Sequence, residues 1–585
     1  MQQQLQRLRE WLAPRSSLLG WAAILAIVVC FQGRALLDSV QYTFSSPLRL
    51  SDDARQQIFP FFRYIDPPSA LDSDYVASYY LACYPLGYWT LYAGSATLGL
   101  DPTTLSHALP HVLWLLTAAG LAAVAHRLAG KLSALCTLAL CLGSDAYLTR
   151  MGGGLPRSFG FPVLTLALVG LAYARERVCV AAVLLGALFY PVTGVIAGLA
   201  LTAGLLLPQR TGCSVSSRSL RGQLVLLAAT AAVSIAVLIP SLLGSRHYGS
   251  AVRPAELAEF PEVGPGGRYG SDSRPPFKGF LHSIPDAVAP ALLAAEAPWS
   301  PAARSWLVAA PAQPWESPNY RRVMWALLVL VLVGGTRLLL REPAARRVAL
   351  LGVASAIGYS AAVVAMPYAY LPERYSVYTG ALLGTLAVSA SVTGLLPMGF
   401  QTGARRRLGL GLLAAHVALL LSLFAGRVPE SSGVKVDLTP SKPLLDAIAA
   451  LPPQAFIAAW PRGLTNGIPY ASRRSVLVTF ETHQAFHRDF IEEMRQRMRA
   501  LIDAYFATSL EPIVRLRDEY GVTHLLIERA HFRGRSPFYF KPFDGWLSAA
   551  LRAARGKRYE LPRQIAAASI YSFGDFELLD LSRLH

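Results

Sequence analysis

Residues 178–207 read VCVAAVLLGALFYPVTGVIAGLALTAGLLL, a run of about 30 positions without one charged side chain. About 20 helical residues already cross the ~30 Å hydrocarbon layer of a bilayer, so this run is too long for one ordinary span. Tyr190-Pro191 sits in its middle. Proline there removes a backbone N–H and clashes with the preceding turn. The run therefore reads as two short spans, 178–189 and 190–207. Outward from it, apolar runs of span size occupy 17–33, 107–126, 132–147, 158–174, 223–243, 322–340, 348–366, 376–396 and 408–426. Together they predict an all-α polytopic membrane protein with about eleven transmembrane helices.

Composition agrees with a lipid solvent. Of 585 residues, 53% are hydrophobic and only 15% charged, with a mean hydropathy of +0.38, too few charges to cover a soluble protein of this size. The net charge of +18 does not point to nucleic acid, because the basic residues fall in short clusters between apolar runs rather than along one soluble face. These clusters are Arg7, Arg9 and Arg15; Arg127 and Lys131; Arg175 and Arg177; Arg210, Arg218 and Arg221; Arg337, Arg341, Arg346 and Arg347; and Arg405, Arg406 and Arg407. With the split at Pro191 they all fall on one side, which the positive-inside rule makes the cytoplasmic one. The N-terminus is then cytoplasmic, with 17–33 a retained anchor. The preference for Arg over Lys fits a GC-rich bacterial genome, and the bacterial inner membrane is the expected location. Six scattered cysteines, with no C-x-x-C spacing, indicate neither a zinc site nor a disulfide framework.

The expected domains are a transmembrane unit, 1–427, and a small extracytoplasmic α/β domain, 428–585. Within the first, the long loops 34–106 and 244–321 face outward. The tail alternates charged helical stretches such as HRDFIEEMRQRMRALIDAYF with short apolar runs such as FIAAW and THLLIE. The loop 244–321 carries PEVGPGGRYGSDSRPP and is expected to be partly mobile. In the first outer loop, Asp52 and Asp53 are followed by Arg55, Asp66, Asp72 and Asp74, then by YYLACYPLGYWTLY, an aromatic segment suited to the interface. Paired carboxylates there can act as a general base or hold a hard divalent cation; Ser51-Asp52-Asp53 is equally a helix N-cap signal. Asp145 closes an apolar run, at a depth where an ionisable group is costly unless paired or wet. Gly152-Gly153-Gly154, before Pro156-Arg157, reads first as a flexible turn. His107/His111 and His483/His487 share helical spacing but lack the glutamate of a zinc motif, so surface or interface roles are expected.

This arrangement resembles the GT-C superfamily of membrane glycosyltransferases, which use polyprenyl-phosphate-linked sugars. The resemblance rests on the whole topology and on Asp52-Asp53, Asp145 with the GGGLPRSF segment, the Tyr190-Pro191 break, Leu371-Pro372-Glu373-Arg374-Tyr375, and EYGVTHLLIE in the tail. It implies inverting transfer at the outer face, with Asp52 or Asp53 as base and a lipid phosphate as leaving group. Arg55, Arg157 and Arg374 are then the cations for that phosphate, with snorkelling to headgroups as the plain alternative. Asp72, Asp74 and Asp145 are further candidates. The implied partners are the bilayer, the lipid-linked sugar, and an acceptor that is a glycan, lipid or protein. A divalent cation on Asp52 and Asp53 and a metal-free mechanism are both open. Two other readings stand beside the transferase. One is a transporter or flippase, against which few charges lie mid-span and the broken run has no partner in the second half. The other is a non-catalytic scaffold of envelope assembly with the same architecture.

Overall fold

The computed structural model of the chain describes residues 36–51, 53–65, 70–142, 145–268, 334–365, 371–395, 433–534 and 537–584, together with Ala22, Ala26 and Gly33. Most of the expected span 17–33, the first part of 322–340 and all of 408–426 lie outside these residues, as does Asp66. Helices Pro102–Ala129, Leu220–Tyr248 and Pro343–Ala365 are long and apolar enough to cross a membrane, while Lys131–Leu142, Pro156–Ala172 and Pro191–Leu206 are apolar but shorter.

The long apolar run breaks where proline requires it. Helix Glu176–Phe189 ends at Tyr190, which is extended (φ −151°, ψ 90°), and Pro191 opens Pro191–Leu206 as its first residue, where its missing N–H costs nothing. The two helices cross on bare backbone: a Cβ on Gly186 would lie 2.4 Å from Gly194 Cα, the small-residue contact that lets membrane helices approach closely.

At one end of the bundle described members of several arginine clusters come together. Arg347, opening the Pro343–Ala365 helix, donates to the carbonyls of Leu171 at 2.7 Å, Ala172 at 3.0 Å and Gly212 at 3.2 Å. It satisfies carbonyls left open at the C-terminal end of helix Gly160–Ala172 and meets the negative end of its dipole. Arg218 pairs with Glu176 at 2.7 Å nearby in sequence to the same turn.

Toward the other end, the first outer loop builds a core of its own. The aromatic segment expected at the lipid interface is turned inward: Tyr88 and Tyr92 are fully buried. Their i, i+4 spacing sets the two rings 4.9 Å apart and tilted, and Phe61 stacks on Tyr84 at 5.5 Å and on Tyr92 at 5.0 Å.

The C-terminal α/β domain has a five-stranded sheet in the order β4(Ser475–Val476), β3(Phe456–Ala459), β5(His524–Glu528), β7(Phe576–Asp580), β6(Ser569–Phe573). The first three strands are parallel, and β7 and β6 are antiparallel. Helices Arg488–Tyr505 and Glu511–Tyr520 form the crossover into β5. Gly521 ends the second of them in the left-handed region (φ 71°), so EYGVTHLLIE folds as helix, cap and strand.

This domain is sewn to the first outer loop. β1(Arg49–Leu50) pairs antiparallel with β2(Val436–Asp437), and Tyr79 stacks on Phe490 at 3.6 Å. The described start of the second outer loop, 244–268, is also held; the rest of the loop, for which partial mobility is expected, lies outside the described residues. Val252 N–H donates to Phe486 O, and the fully buried Glu262 takes two 2.7 Å bonds from Arg495. Residues 269–321 lie outside the described chain.

Candidate active site

Helix Gly160–Ala172 has two differently charged ends. Its C-terminal end is the one Arg347 caps; its N-terminal end follows the short 3-10 turn Pro156–Phe159, which carries Arg157. Thirteen helical residues separate those ends by about 20 Å. At the Arg157 end the guanidinium meets the carboxylate of Asp53 in an ion pair, both side chains about a quarter exposed. Asp53 stands at the N-cap position of the short helix Ala54–Gln57, yet its side chain makes no capping bond. The carboxylate is thus committed to a cation from a distant segment rather than to its own helix.

Backbone geometry makes that meeting possible. Gly153 (φ 86°) and Gly154 (φ 61°) are left-handed, and a Cβ on Gly153 would lie 2.9 Å from Ala54 Cβ and 3.2 Å from Ser51 Cβ. On Gly152 it would lie 2.8 Å from Gly433 O. The glycine run is therefore both turn and close approach, bringing GGGLPR against the first outer loop and against the entry to the C-terminal domain. Ser106 Oγ donates to Gly153 O at 2.7 Å, Tyr92 Oη donates to Gly154 O at 3.0 Å, and the Ser158 hydroxyl closes the turn between Met151 O and Leu155 N.

Arg55 is buried and donates through Nη1 to Gly463 O at 3.2 Å; its neighbour Gln56 donates to Asn466 O at 2.7 Å. Arg374 lies in the 3-10 turn Pro372–Tyr375, 3.5 Å from Glu373. That turn leads into helix Val377–Leu395. Tyr378 of this helix packs on Gly160, where an added Cβ would be 2.7 Å from the ring. Arg374 and Arg157 therefore stand at the same end of the bundle. The other candidates do separate work: Asp74 caps helix Tyr75–Cys83 by accepting from Ala77 N–H at 2.7 Å, and Asp72 lies 4.0 Å from Arg63. Asp145 opens helix Asp145–Met151, and its side chain is outside the described set, as is the whole of Asp52.

The histidines do not gather either. His107 and His111 are buried in the bundle against Phe44, while His483 lies 3.1 Å from both Thr479 O and Tyr539 Oη in the C-terminal domain. Among the described residues no three His, Cys, Asp or Glu side chains are placed to hold a metal ion. A guanidinium against Asp53 would also repel a cation, so the described donors at this spot do not fit one.

Sequence reasoning missed Tyr92, Ser106 and Gly433, which hold the glycine run in place, and Gln56, which ties the first outer loop to Asn466 and Thr479. The glycine run was the signal that could have found them, since three consecutive glycines are what a double backbone contact needs.

No known protein-family description matches the chain, and no curated protein matches it. The solved structures do. The chain aligns with ArnT from Cupriavidus metallidurans in the apo state at a TM-score of 0.52 and 13% identity, over 97% of this chain and 98% of that one. With the same protein bound to undecaprenyl phosphate the TM-score is 0.50 at 14% identity, over 95% and 98%. A weaker likeness, at a TM-score of 0.47 and 11% identity over 87% of this chain and 69% of the other, is to the archaeal oligosaccharyltransferase AglB from Archaeoglobus fulgidus. The chain thus shares the fold of ArnT along nearly its whole length.

Proposed function

We propose that the protein is a membrane glycosyltransferase that moves a sugar from a polyprenyl-phosphate donor to an envelope acceptor at the outer face of the inner membrane, with inversion. The observation that carries this reading is the Asp53–Arg157 ion pair, placed at the end of helix Gly160–Ala172 opposite the arginine-capped end. By the positive-inside rule the arginine-rich end is cytoplasmic, so the pair belongs to the outer boundary, where a lipid phosphate sits. The proposed topology keeps about eleven spans, a domain boundary near residue 428 and an extracytoplasmic tail. The ArnT fold, seen with undecaprenyl phosphate in that protein, supports the choice of donor.

Inverting transfer needs a base and a leaving-group cation on opposite sides of one anomeric carbon. Asp53, or Asp52 beside it, takes the acceptor's hydroxyl proton as its oxygen forms the new bond; the bond from the anomeric carbon to the phosphate oxygen breaks, and that oxygen keeps the electron pair. Arg157 stabilises the charge collecting on the phosphate, with Arg55 and Arg374 as further cations at that end. Arg157 reaches Asp53 on a flexible stem, so it can exchange the carboxylate for the phosphate and leave Asp53 ionised beside the acceptor. No step is routed through a metal.

The test is sugar transfer by the purified protein in lipid nanodiscs supplied with a polyprenyl-phosphate sugar. Asp53→Asn is expected to lower turnover by about 10²–10⁴-fold. Arg157→Ala should lower it by about 10²–10³-fold, while Arg157→Lys, which keeps charge but loses the fork, retains part of the rate. Parent-like turnover in both Asp53→Asn and Asp52→Asn would rule out the carboxylate base.

A further inference from the structure

A cavity of about 350 Å³ opens in the C-terminal domain between the ends of β3, β5 and β7, lined by Trp460, Thr465, Tyr505, Glu528, Phe538 and Phe576 among others. Arg462 and His531 stand on its wall, and so does Gly463, whose carbonyl accepts from Arg55. The cavity lip is therefore tied to the first outer loop two residues from Asp53. None of the proposed chemistry uses it.

Its lining has three properties that single out one ligand class. First, aromatic surface is offered rather than packed away: Phe538 is 67% exposed, far more than a large apolar side chain needs to be, and Arg462 lies over its ring at 5.4 Å. Second, the polar groups are of both kinds. Arg462 and the indole of Trp460 are donors, the Glu528 carboxylate accepts, and the Thr465 hydroxyl does either. An anion would meet Glu528 and a cation would meet Arg462, whereas uncharged hydroxyls find partners on each. Third, Trp460 is 5% exposed and its Nε1–H has no hydrogen-bond partner among the described residues. A buried donor left unmatched is costly, and this one belongs to a residue that lines the cavity. A sugar ring answers all three: an apolar C–H face for the aromatics, and hydroxyls around its edge that both donate and accept.

We propose that this cavity is a carbohydrate-binding subsite that holds a neutral sugar ring of the acceptor glycan and delivers its chain to Asp53. Assigning the sugar to the acceptor rests on the transferase reading, because the donor's lipid phosphate belongs at the membrane boundary; the binding itself does not rest on it.

The experiment is equilibrium binding of the full chain, fluorescently labelled in nanodiscs and without donor, to an array of neutral hexose, N-acetylhexosamine and deoxyhexose oligosaccharides, with a peptide array beside it. Saturable retention on one glycan family is expected. Phe538→Ala, at an exposed position that does not threaten folding, and Glu528→Gln should each weaken it about fivefold. Trp460→Phe, which keeps an aromatic ring and removes the N–H, should weaken it similarly, with the melting temperature of each variant as a control. In turnover, Phe538→Ala should raise the acceptor KM and leave kcat unchanged. No glycan retained, retention indifferent to all three variants, or variant-sensitive retention on peptides alone overturns the subsite. If sugar binding tracks the variants but no polyprenyl donor supports transfer, the transferase reading fails and the subsite stands. If transfer proceeds with parent acceptor KM in every variant, the reverse holds.

Discussion

Asp53 could have capped its own helix and instead faces Arg157, a residue 104 positions later in the chain. What allows this is the backbone of Gly153, which is left-handed and lies against Ala54 and Ser51. Gly153→Ala meets both obstacles at once, a strained φ and a 2.9 Å clash. It is expected to cost about 2 kcal/mol or more in thermal unfolding and to cut transfer activity together with Asp53→Asn. A second residue-scale prediction concerns pH. Burial, with the Arg268 charge behind it, pushes the His483 imidazole down to about 3. Unfolded, it titrates near 6.5. Between those values the unfolded chain takes up a proton that the folded chain refuses. Its contribution is thus complete above about pH 6.5 and is lost as the pH falls toward 3, at about 1.4 kcal/mol per pH unit. His483→Gln should flatten that acid slope when hydrogen exchange of β5 is followed against pH in the full chain; an unchanged slope would assign the acid sensitivity elsewhere.

At the scale of elements, legibility followed covalent rules. The break at Tyr190-Pro191 was readable because proline acts on its own backbone. So was the helix, cap and strand of EYGVTHLLIE, where Gly521 supplies the left-handed turn. The inward turn of Tyr88 and Tyr92 was not, since an aromatic run looks alike whether its partner is a headgroup or Phe61. Nor was the holding of 246–268: a Pro- and Gly-rich loop has no periodicity, and what fixes it is Arg495, more than 230 positions away. Glu262→Ala would remove a buried ion pair and leave the Arg495 guanidinium with only Glu492 and the Glu259 carbonyl, at about 3 kcal/mol. It is expected to raise hydrogen exchange and protease cleavage within 250–268 while the bundle helices keep their protection. Where Gly186 meets Gly194 there is no slack at all, so Gly186→Ala should lower the melting temperature and the yield of monodisperse protein more than Gly198→Ala, whose added Cβ would only touch Val183 at 3.9 Å.

For the whole molecule, the arrangement has a polarity: arginines that cap carbonyls at one end, and Asp53, Arg157 and the α/β domain at the other. The grouping of the described arginines at one end was legible from the spacing of the Arg clusters; which side of the membrane that end faces belongs to the proposed topology. The identity of residues meeting in the site was legible only in part. Asp53 and Arg157 stood out as charges beside apolar runs, whereas Gln56 and Ser106 are ordinary polar residues until the fold places them. The corresponding prediction uses single cysteines in a cysteine-free background. At Lys557, on the α/β domain, a membrane-impermeant maleimide should label intact spheroplasts. At Arg210, in the arginine-rich end, it should label only after lysis. The opposite result would place the aspartate on the wrong side for lipid-linked chemistry.

The two-residue ribbon of β1 and β2 joins segments almost 390 positions apart, and it has a bearing on biogenesis. Residues 48–56 take hydrogen bonds from Lys435 and Leu438 and give them to Gly463 and Asn466. Those partners leave the ribosome only after every helix of the bundle. A nascent chain threaded into the bilayer up to its final span therefore carries the charged loop without the scaffold that shapes it. Translation order alone leaves residues 48–56 unshaped until the C-terminal domain has been made.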